Sequence, residues 1–341
     1  MKKTFFRIFS VLLSLLTIIS SLALFCSCGK KESVSPLPLR TLTGETGSAD
    51  GFDYALYDDG TACLTGLSSG AAVADLRIPG VIAGHSVVAV GDVFLTDNTT
   101  LTSLTLPDSL EKIGDAAFWG CSSLSSVTVG KRLWELGYGA FAGTPWLASL
   151  ADENGFAVIN STLAAYTGRF ASVVIPDNIL HIGGGAFAEN RALSDVTCPS
   201  GLLTIGSQAF SFCDGLKYVD FGKSLMAVGK SAFGGCSALT CADLPDTVLS
   251  IGESAFSDCY ELRYACLGRS LTNLGDSAFY YCQRLSVICV PDTLDVLPAS
   301  CFDCCLSLTA VLYGGSEERF SAVACSDDAN DWHKLCVIYG H

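Results

Sequence analysis

The sequence predicts a β-solenoid, a right-handed stack of 23-residue coils in which each coil combines a short helical turn with a strand. Three ladders predict it. Glycines recur at 91, 114, 137, 183, 206, 229, 252 and 275, stepping by 23 residues with one step of 46. Leucines at 101, 124, 147, 193, 216, 239, 262, 285 and 308 keep the same period and the same double step. So do phenylalanines at 118, 141, 187, 210, 233, 256, 279 and 302, whereas Phe94 falls one residue out of register. Self-similarity at such a period is the mark of a repeat architecture, in which no single unit can bury its own apolar face and stacking does it for all.

Within a coil each position has a mechanical reading. One unit runs Ile113-Gly114-Asp115-Ala116-Ala117-Phe118-Trp119-Gly120-Cys121-Ser122-Ser123-Leu124 and then Ser125-Ser126-Val127-Thr128-Val129. The glycine is expected to take positive φ in a tight turn. The acid that can follow it, as at Asp115 and Asp276, is expected to cap a short helical turn. The Ala-Phe pair buries a ring. The L-x-x-V-x-V alternation is that of a strand with one buried face. At about 4.8 Å per coil, roughly ten coils make an array about 45–50 Å long.

These units resemble the BspA-like leucine-rich repeat family, with its "IG..AF..C..L..v.lP" coil. The flanks carry the resemblance further. GFDYALYDDGTACLTG with RIPGVIAGHSVVAVG resembles the family's N-terminal cap and first coil. TPWLASLADENGFAVINSTLAAYTG with ASVVIPDNILHIGGGAF resembles its β-hairpin interruption, and VLYGGSEERFSAVA its closing segment. The resemblance covers residues 51–341 and implies a β-rich leucine-rich-repeat solenoid. Its domains are an N-terminal cap at 51–85, a solenoid over 86–313 interrupted by a hairpin near 145–172, and a C-terminal cap at 314–341. The coil at 291–302 departs from the pattern, with Pro298 in place of Gly and Cys301 in place of Ala.

The chain begins with Lys2, Lys3 and Arg7 and an apolar run from Ile8 to Phe25, which is an export signal over 1–27. Phe25-Cys26-Ser27-Cys28 resembles a bacterial lipoprotein signal, with the small Ser27 before a lipidated Cys28. A multiply acylated cysteine anchors a protein stably to a membrane. Free secretion and an uncleaved helix are the alternatives, since about 18 apolar residues can just span a bilayer. Residues 28–50, with Pro36 and Pro38 and no periodicity, are expected to form a flexible tether of up to about 70 Å.

Composition narrows the function. Charged residues are 16 % and hydrophobic residues 50 %, with 34 glycines, which excludes disorder. The formal charge of −14 argues against nucleic acid, whose phosphates such a surface repels. It suits a basic protein partner or a cation, or serves solubility alone. Of the 17 cysteines, Cys121, Cys213, Cys236, Cys259, Cys282 and Cys305 each follow a repeat Phe by three residues. They are expected to be reduced packing thiols rather than rung-to-rung disulfides. Thr144 and Asn190 fill the same slot in other coils. Cys301, Cys304 and Cys305 lack the second C-x-x-C or His pair of a zinc site, and no metal or cofactor is expected.

No catalytic residues are expected. His85, His181, His333 and His341 show no spacing to a nucleophile, and the glycines follow the repeat rather than a phosphate-binding loop. Binding would use the outward positions of the strands: Ser103/Thr105, Ser126/Thr128, Asp195/Thr197, Tyr218/Asp220, Cys241/Asp243, Tyr264/Cys266 and Val287/Cys289. Tyr218, Asp220, Asp243 and Tyr264 mix aromatic area with carboxylates and form the candidate contact patch. An ordinary solvated strand face is the alternative. The four tryptophans (Trp119, Trp134, Trp146, Trp332) are expected in the core or caps. The family resemblance implies a cell-surface adhesion protein for extracellular or host proteins, and the chain is expected to be monomeric. An envelope scaffolding lipoprotein with a bacterial partner is the second reading, and an enzyme built on a solenoid the third.

Overall fold

The computed structural model describes residues 40–68, 73–298, 300–325 and 336–340. The export signal, Cys28 and residues 28–39 of the expected tether lie outside them, as do Trp332, His333 and His341. Among the described residues no helix is long and apolar enough to cross a membrane.

The protein is a β-solenoid of about 11 turns with little helix. Each full coil contributes two short parallel strands. One set is the L-x-x-V-x-V strand, as in Asp195–Thr197 pairing with Tyr218–Asp220 and Cys241–Asp243 with Tyr264–Cys266. The other, which the periodicity did not reveal, is a two-residue strand ending at the aliphatic residue before each glycine. His181–Ile182, Thr204–Ile205, Ala227–Val228, Ser250–Ile251 and Asn273–Leu274 pair in succession there. At the third corner, backbone bonds join Phe187 N to Ala209 O, Phe210 N to Ala232 O and Phe233 N to Ala255 O, each at 2.7 Å. Every side of the coil thus satisfies its backbone through the next coil.

The repeat glycines do a different job from the one expected. None of Gly114, Gly137, Gly183, Gly206, Gly229, Gly252 and Gly275 has positive φ. Instead their coils touch backbone to backbone: a Cβ at Gly229 would lie 2.6 Å from Ser207 N, and one at Gly252 2.6 Å from Lys230 N. Left-handed residues flank the Phe instead: two before it stand Ala116, Gly139, Gly185, Gln208, Ser231, Ser254, Ser277 and Ser300, with φ from 49° to 69°, and two after it stand residues such as Gly120, Glu189, Phe212 and Asp258. Small or polar side chains there carry a cost of about 1–2 kcal/mol per residue. Consecutive turns, not short helices, therefore carry the Phe. Asp115 caps no helix; its Oδ1 accepts from Tyr138 N of the next coil at 2.7 Å, and Asp92 Oδ1 accepts from Asp115 N at 2.8 Å. Asp276 likewise opens a turn, and its carbonyl accepts from Ser254 N.

The Phe rings form a buried column. Centroids from Phe187 through Phe302 are 4.7–5.7 Å apart with interplanar angles of 3–12°. Phe94, one residue off, meets Phe118 edge-on at 6.0 Å instead. An antiparallel hairpin, Phe156–Ile159 with Thr162–Tyr166, follows the short helix Pro145–Ser149. It divides the buried residues into two clusters, one reaching Phe141, Trp146 and Ile159 and the other running from Phe156 to Tyr313.

The expected tether ends earlier than residue 50. Leu42–Ala49 is a strand, antiparallel to Phe52–Tyr57, which pairs in turn with Ala62–Leu67. Its mostly exposed side chains give no apolar alternation, because the strand is held by backbone pairing. Gly47 lets the Tyr54 ring lie across it, where a Cβ would sit 2.5 Å from the hydroxyl. At the other end Arg319 bonds the carbonyls of Asp292 and Leu294 in the preceding coil. Cys336–Tyr339 adds a parallel strand to Ala310–Tyr313.

Candidate functional site

Alternation along each L-x-x-V-x-V strand points the middle residue inward and its two neighbours outward. Val196, Val219, Ala242 and Ala265 are buried accordingly. Parallel register then stacks the outward residues into two columns, which the strands hold at fixed spacing. Asp195 faces Tyr218 and Thr197 faces Asp220; Cys241 faces Tyr264 and Asp243 faces Cys266. Between Asp220 and Cys241 the ladder lapses into a looser contact, kept by Thr240 N to Lys217 O at 3.2 Å.

The four residues of the expected patch occupy this surface unequally. Tyr218 is 49 % exposed, and Asp220 and Asp243 are exposed. The Tyr218 phenol is pushed up by partial burial and then by the nearby Asp220, Cys241 and Asp243, so these groups share one neighbourhood. Although Asp243 is open to solvent at its surface, partial desolvation by its neighbours raises its carboxyl, and Asp246 adds to it. One oxygen of Asp220 accepts from Gly222 N at 3.0 Å, which fixes its rotamer. Tyr264 is half-buried, with its hydroxyl 3.2 Å from Cys289 Sγ. Toward the end of the array the outward positions close over: Val287, Ala310 and Leu312 are buried. The open part of the face therefore lies before Val287.

The six-cysteine ladder sits elsewhere, inside the Phe corner. Cys213, Cys236, Cys259, Cys282 and Cys305 each donate to the carbonyl of the preceding coil's Phe at 3.1–3.3 Å. Cys121 donates to Leu95 O at 3.1 Å, the residue standing where the register places the missing Phe. These thiols are free, and burial pushes Cys213 up to about 12. They are weak nucleophiles in a packing role. In the same slot Thr144 bonds Phe141 O and caps the helix at Leu147 N, and Asn190 reaches Gly168 O.

Other polar clusters have structural partners. Glu111 is buried and held by Arg40 and Arg132, while Arg40 also pairs with Asp59. His85 Nδ1 lies 2.8 Å from Gly60 O. His181 is buried against the Trp134 ring with Nδ1 2.8 Å from Thr204 Oγ1, and burial drops it to about 4. Trp146 is in the core, but Trp119 stands 38 % exposed against Tyr138. Among the described residues no group of three His, Cys, Asp or Glu could hold a metal ion. Missing from the sequence reading is the pair Cys266 and Cys289, direct partners in the ladder. Their 23-residue spacing in one outward column was the available signal.

No curated protein matches the chain. Solved structures resemble it at low identity. A leucine rich cell surface protein from Faecalibacterium prausnitzii is 18 % identical, covering 83 % of this chain and 98 % of its own, with a TM-score of 0.39. The pneumococcal vaccine antigen PcpA is 15 % identical over 88 % of this chain and 99 % of its own, with a TM-score of 0.46. A leucine-rich repeat protein from T. pallidum is 24 % identical over 71 % and 91 %, with a TM-score of 0.30. The model of the BspA type leucine rich repeat region matches six copies, over residues 91–214 and 181–309. With more than half of its length in those repeats, the chain belongs to the BspA-type leucine-rich repeat family.

Proposed function

We propose that this protein is a non-catalytic binder on a bacterial surface, held there by a lipid on Cys28, which presents its outward columns to an extracellular or host protein. The observation that carries this reading is the open face around Tyr218, Asp220 and Asp243. Tyrosine supplies contact area at low entropic cost and is enriched where interfaces concentrate their energy. Carboxylates beside it, on a chain of net charge −14, select a partner with a basic patch. Parallel strands hold these side chains in a fixed grid, so little ordering cost is left to binding. Tyr264 contributes its ring rather than its hydroxyl, which is turned to Cys289. The protein acts as a monomer, without a metal or cofactor.

The test is a pull-down from extracellular matrix and host-cell surface fractions with a soluble fragment starting at residue 40. Truncating Tyr218 to Ala should weaken the captured complex about tenfold or more, as removal of an interface anchor costs about 2 kcal/mol. Binding unchanged by Tyr218→Ala and Asp243→Asn together would remove this face from the proposal. Capture of bacterial envelope proteins alone would point instead to a scaffolding role.

A further inference from the structure

Three thiols share the outward columns between Cys241 and Cys289, unlike the ladder thiols inside the Phe corner. Cys266 and Cys289 stand on adjacent parallel strands as direct register partners, with Asp243 on the rung before them. Both are half-buried, so a small reagent can reach them. Register partners in a parallel sheet lie about 4.8 Å apart at Cα with side chains on one face. That falls within the roughly 4.4–6.8 Å a disulfide requires. The Cβ atoms are about as far apart, beyond the preferred ~3.8 Å, so a bridge here is closable but strained. Strained, accessible disulfides are the readily reduced ones.

The surroundings also divide the labour between the two sulfurs. Tyr264 holds Cys289 Sγ at 3.2 Å from its hydroxyl. Hydrogen bonding from Cys289, aided by Tyr264, lowers the Cys266 thiol against the opposing effects of burial and Asp243. Cys289 itself is pushed up, first by its bond to Cys266 and then by burial. Cys289 stands between the Tyr264 hydroxyl and its register partner Cys266, placed to donate to Cys266 Sγ, which makes Cys266 the attacking thiolate and Cys289 the resolving thiol.

We propose that Cys266 and Cys289 are a reversible dithiol/disulfide pair on the outward face, oxidised by exchange with low-molecular-weight disulfides. The Cys266 thiolate attacks one sulfur of the small disulfide; that S–S bond breaks and the first thiolate leaves. Cys289 gives up its proton to the departing thiolate and attacks Cys266 Sγ in the mixed disulfide. The new protein S–S bond forms and the second small thiolate leaves, taking a proton from solvent. Two protein thiols are oxidised, and one small disulfide is reduced to two thiols.

The test treats the reduced full chain with bis(2-hydroxyethyl) disulfide at pH 7, quenches with an alkylating agent and maps the cysteines by mass spectrometry. The expected result is a Cys266–Cys289 link that dithiothreitol reverses, with Cys213, Cys236, Cys259 and Cys282 unmodified. In Cys289→Ser a mixed disulfide should persist at Cys266. It should form about tenfold faster than the adduct at Cys289 in Cys266→Ser, as expected of a thiolate beside an ordinary thiol. Both thiols remaining free in the unmutated chain, or a link from either to another cysteine, would overturn the pairing. Equal rates in the two variants would overturn the assignment of Cys266 as attacker. The measurement on the unmutated chain stands whether or not the variants fold.

Discussion

Carboxylates join neighbouring coils on both sides of the hairpin, as Lys230–Glu253 and Arg284–Glu261 do after it, but the buried one, Glu111, lies before it, and the unbroken column of rings and thiols lies after it. Asp92 and Asp115 each accept a backbone N–H from the next coil, Lys112 pairs with Glu135, and Glu111 ties Arg40 to Arg132. In that stretch the buried column has one face-to-face pair, Phe118 and Phe141 at 5.3 Å. After the hairpin, six phenylalanines from Phe187 to Phe302 stack without a break and five thiols follow them up the corner. One 23-residue period is therefore compatible with two kinds of inter-coil adhesion. Geometry is set by the Gly and Leu ladders common to both stretches, while the corner residues set how each stretch responds to cavities, salt and acid.

The largest effect should come from breaking the ring column in its middle. Phe233 is fully buried between Phe210 and Phe256 and touches Phe221 edge-on. Phe233→Ala should cost about 3–5 kcal/mol, the usual loss for a core Phe. In an array of nearest-neighbour contacts that loss is local first. Hydrogen exchange followed by mass spectrometry should show faster exchange at residues 182–279, with 87–128 little changed. Equal acceleration in both stretches would mean the hairpin does not divide the stack energetically.

Glu111→Gln probes the other stretch. The carboxylate is only 6 % exposed and answers two guanidiniums, so the amide leaves buried positive charge less well compensated. Because Arg132 is 65 % exposed, water offsets part of the loss, and about 2–3 kcal/mol is expected. Urea titration read by exchange should place that loss before the hairpin.

The architecture was legible because repetition multiplies a weak local signal. A lone Gly or Phe means little; eight of each at one spacing fix the coil, its buried Phe and its interruption. What a ladder does at atomic scale was less legible. A glycine is needed equally for positive φ and for close approach, and only the stacked backbone at Ser207 and Lys230 decides for the second. The two-residue strands were missed because two residues carry no alternation. Leu42–Ala49 reads as tether because its pairing rests on backbone and polar contacts, which leave no apolar alternation. Of the candidate patch, the outward direction of Tyr218, Asp220 and Asp243 followed from period two, but the turn of Tyr264 onto Cys289 depends on a partner one coil away.

His181 supplies the smallest effect, and its sign discriminates between the two kinds of adhesion. Its ring lies on Trp134, which precedes the hairpin, and its Nδ1 meets Thr204, which follows it. Burial holds it near 4, below its ordinary 6.5, so the unfolded chain takes up the proton first as pH falls. The stability it confers is complete above about pH 6.5, declines between there and about pH 4, and then levels off. A shift of that size corresponds to an upper figure of about 3 kcal/mol; partial opening to water brings the expectation nearer 2. His181→Gln should remove this slope from the urea midpoint over that range while leaving any slope below pH 4 unchanged. If the slope persists in the variant, acid sensitivity resides in the carboxylate-linked coils rather than at the seam. The hairpin would then be the acid-resistant joint of the stack.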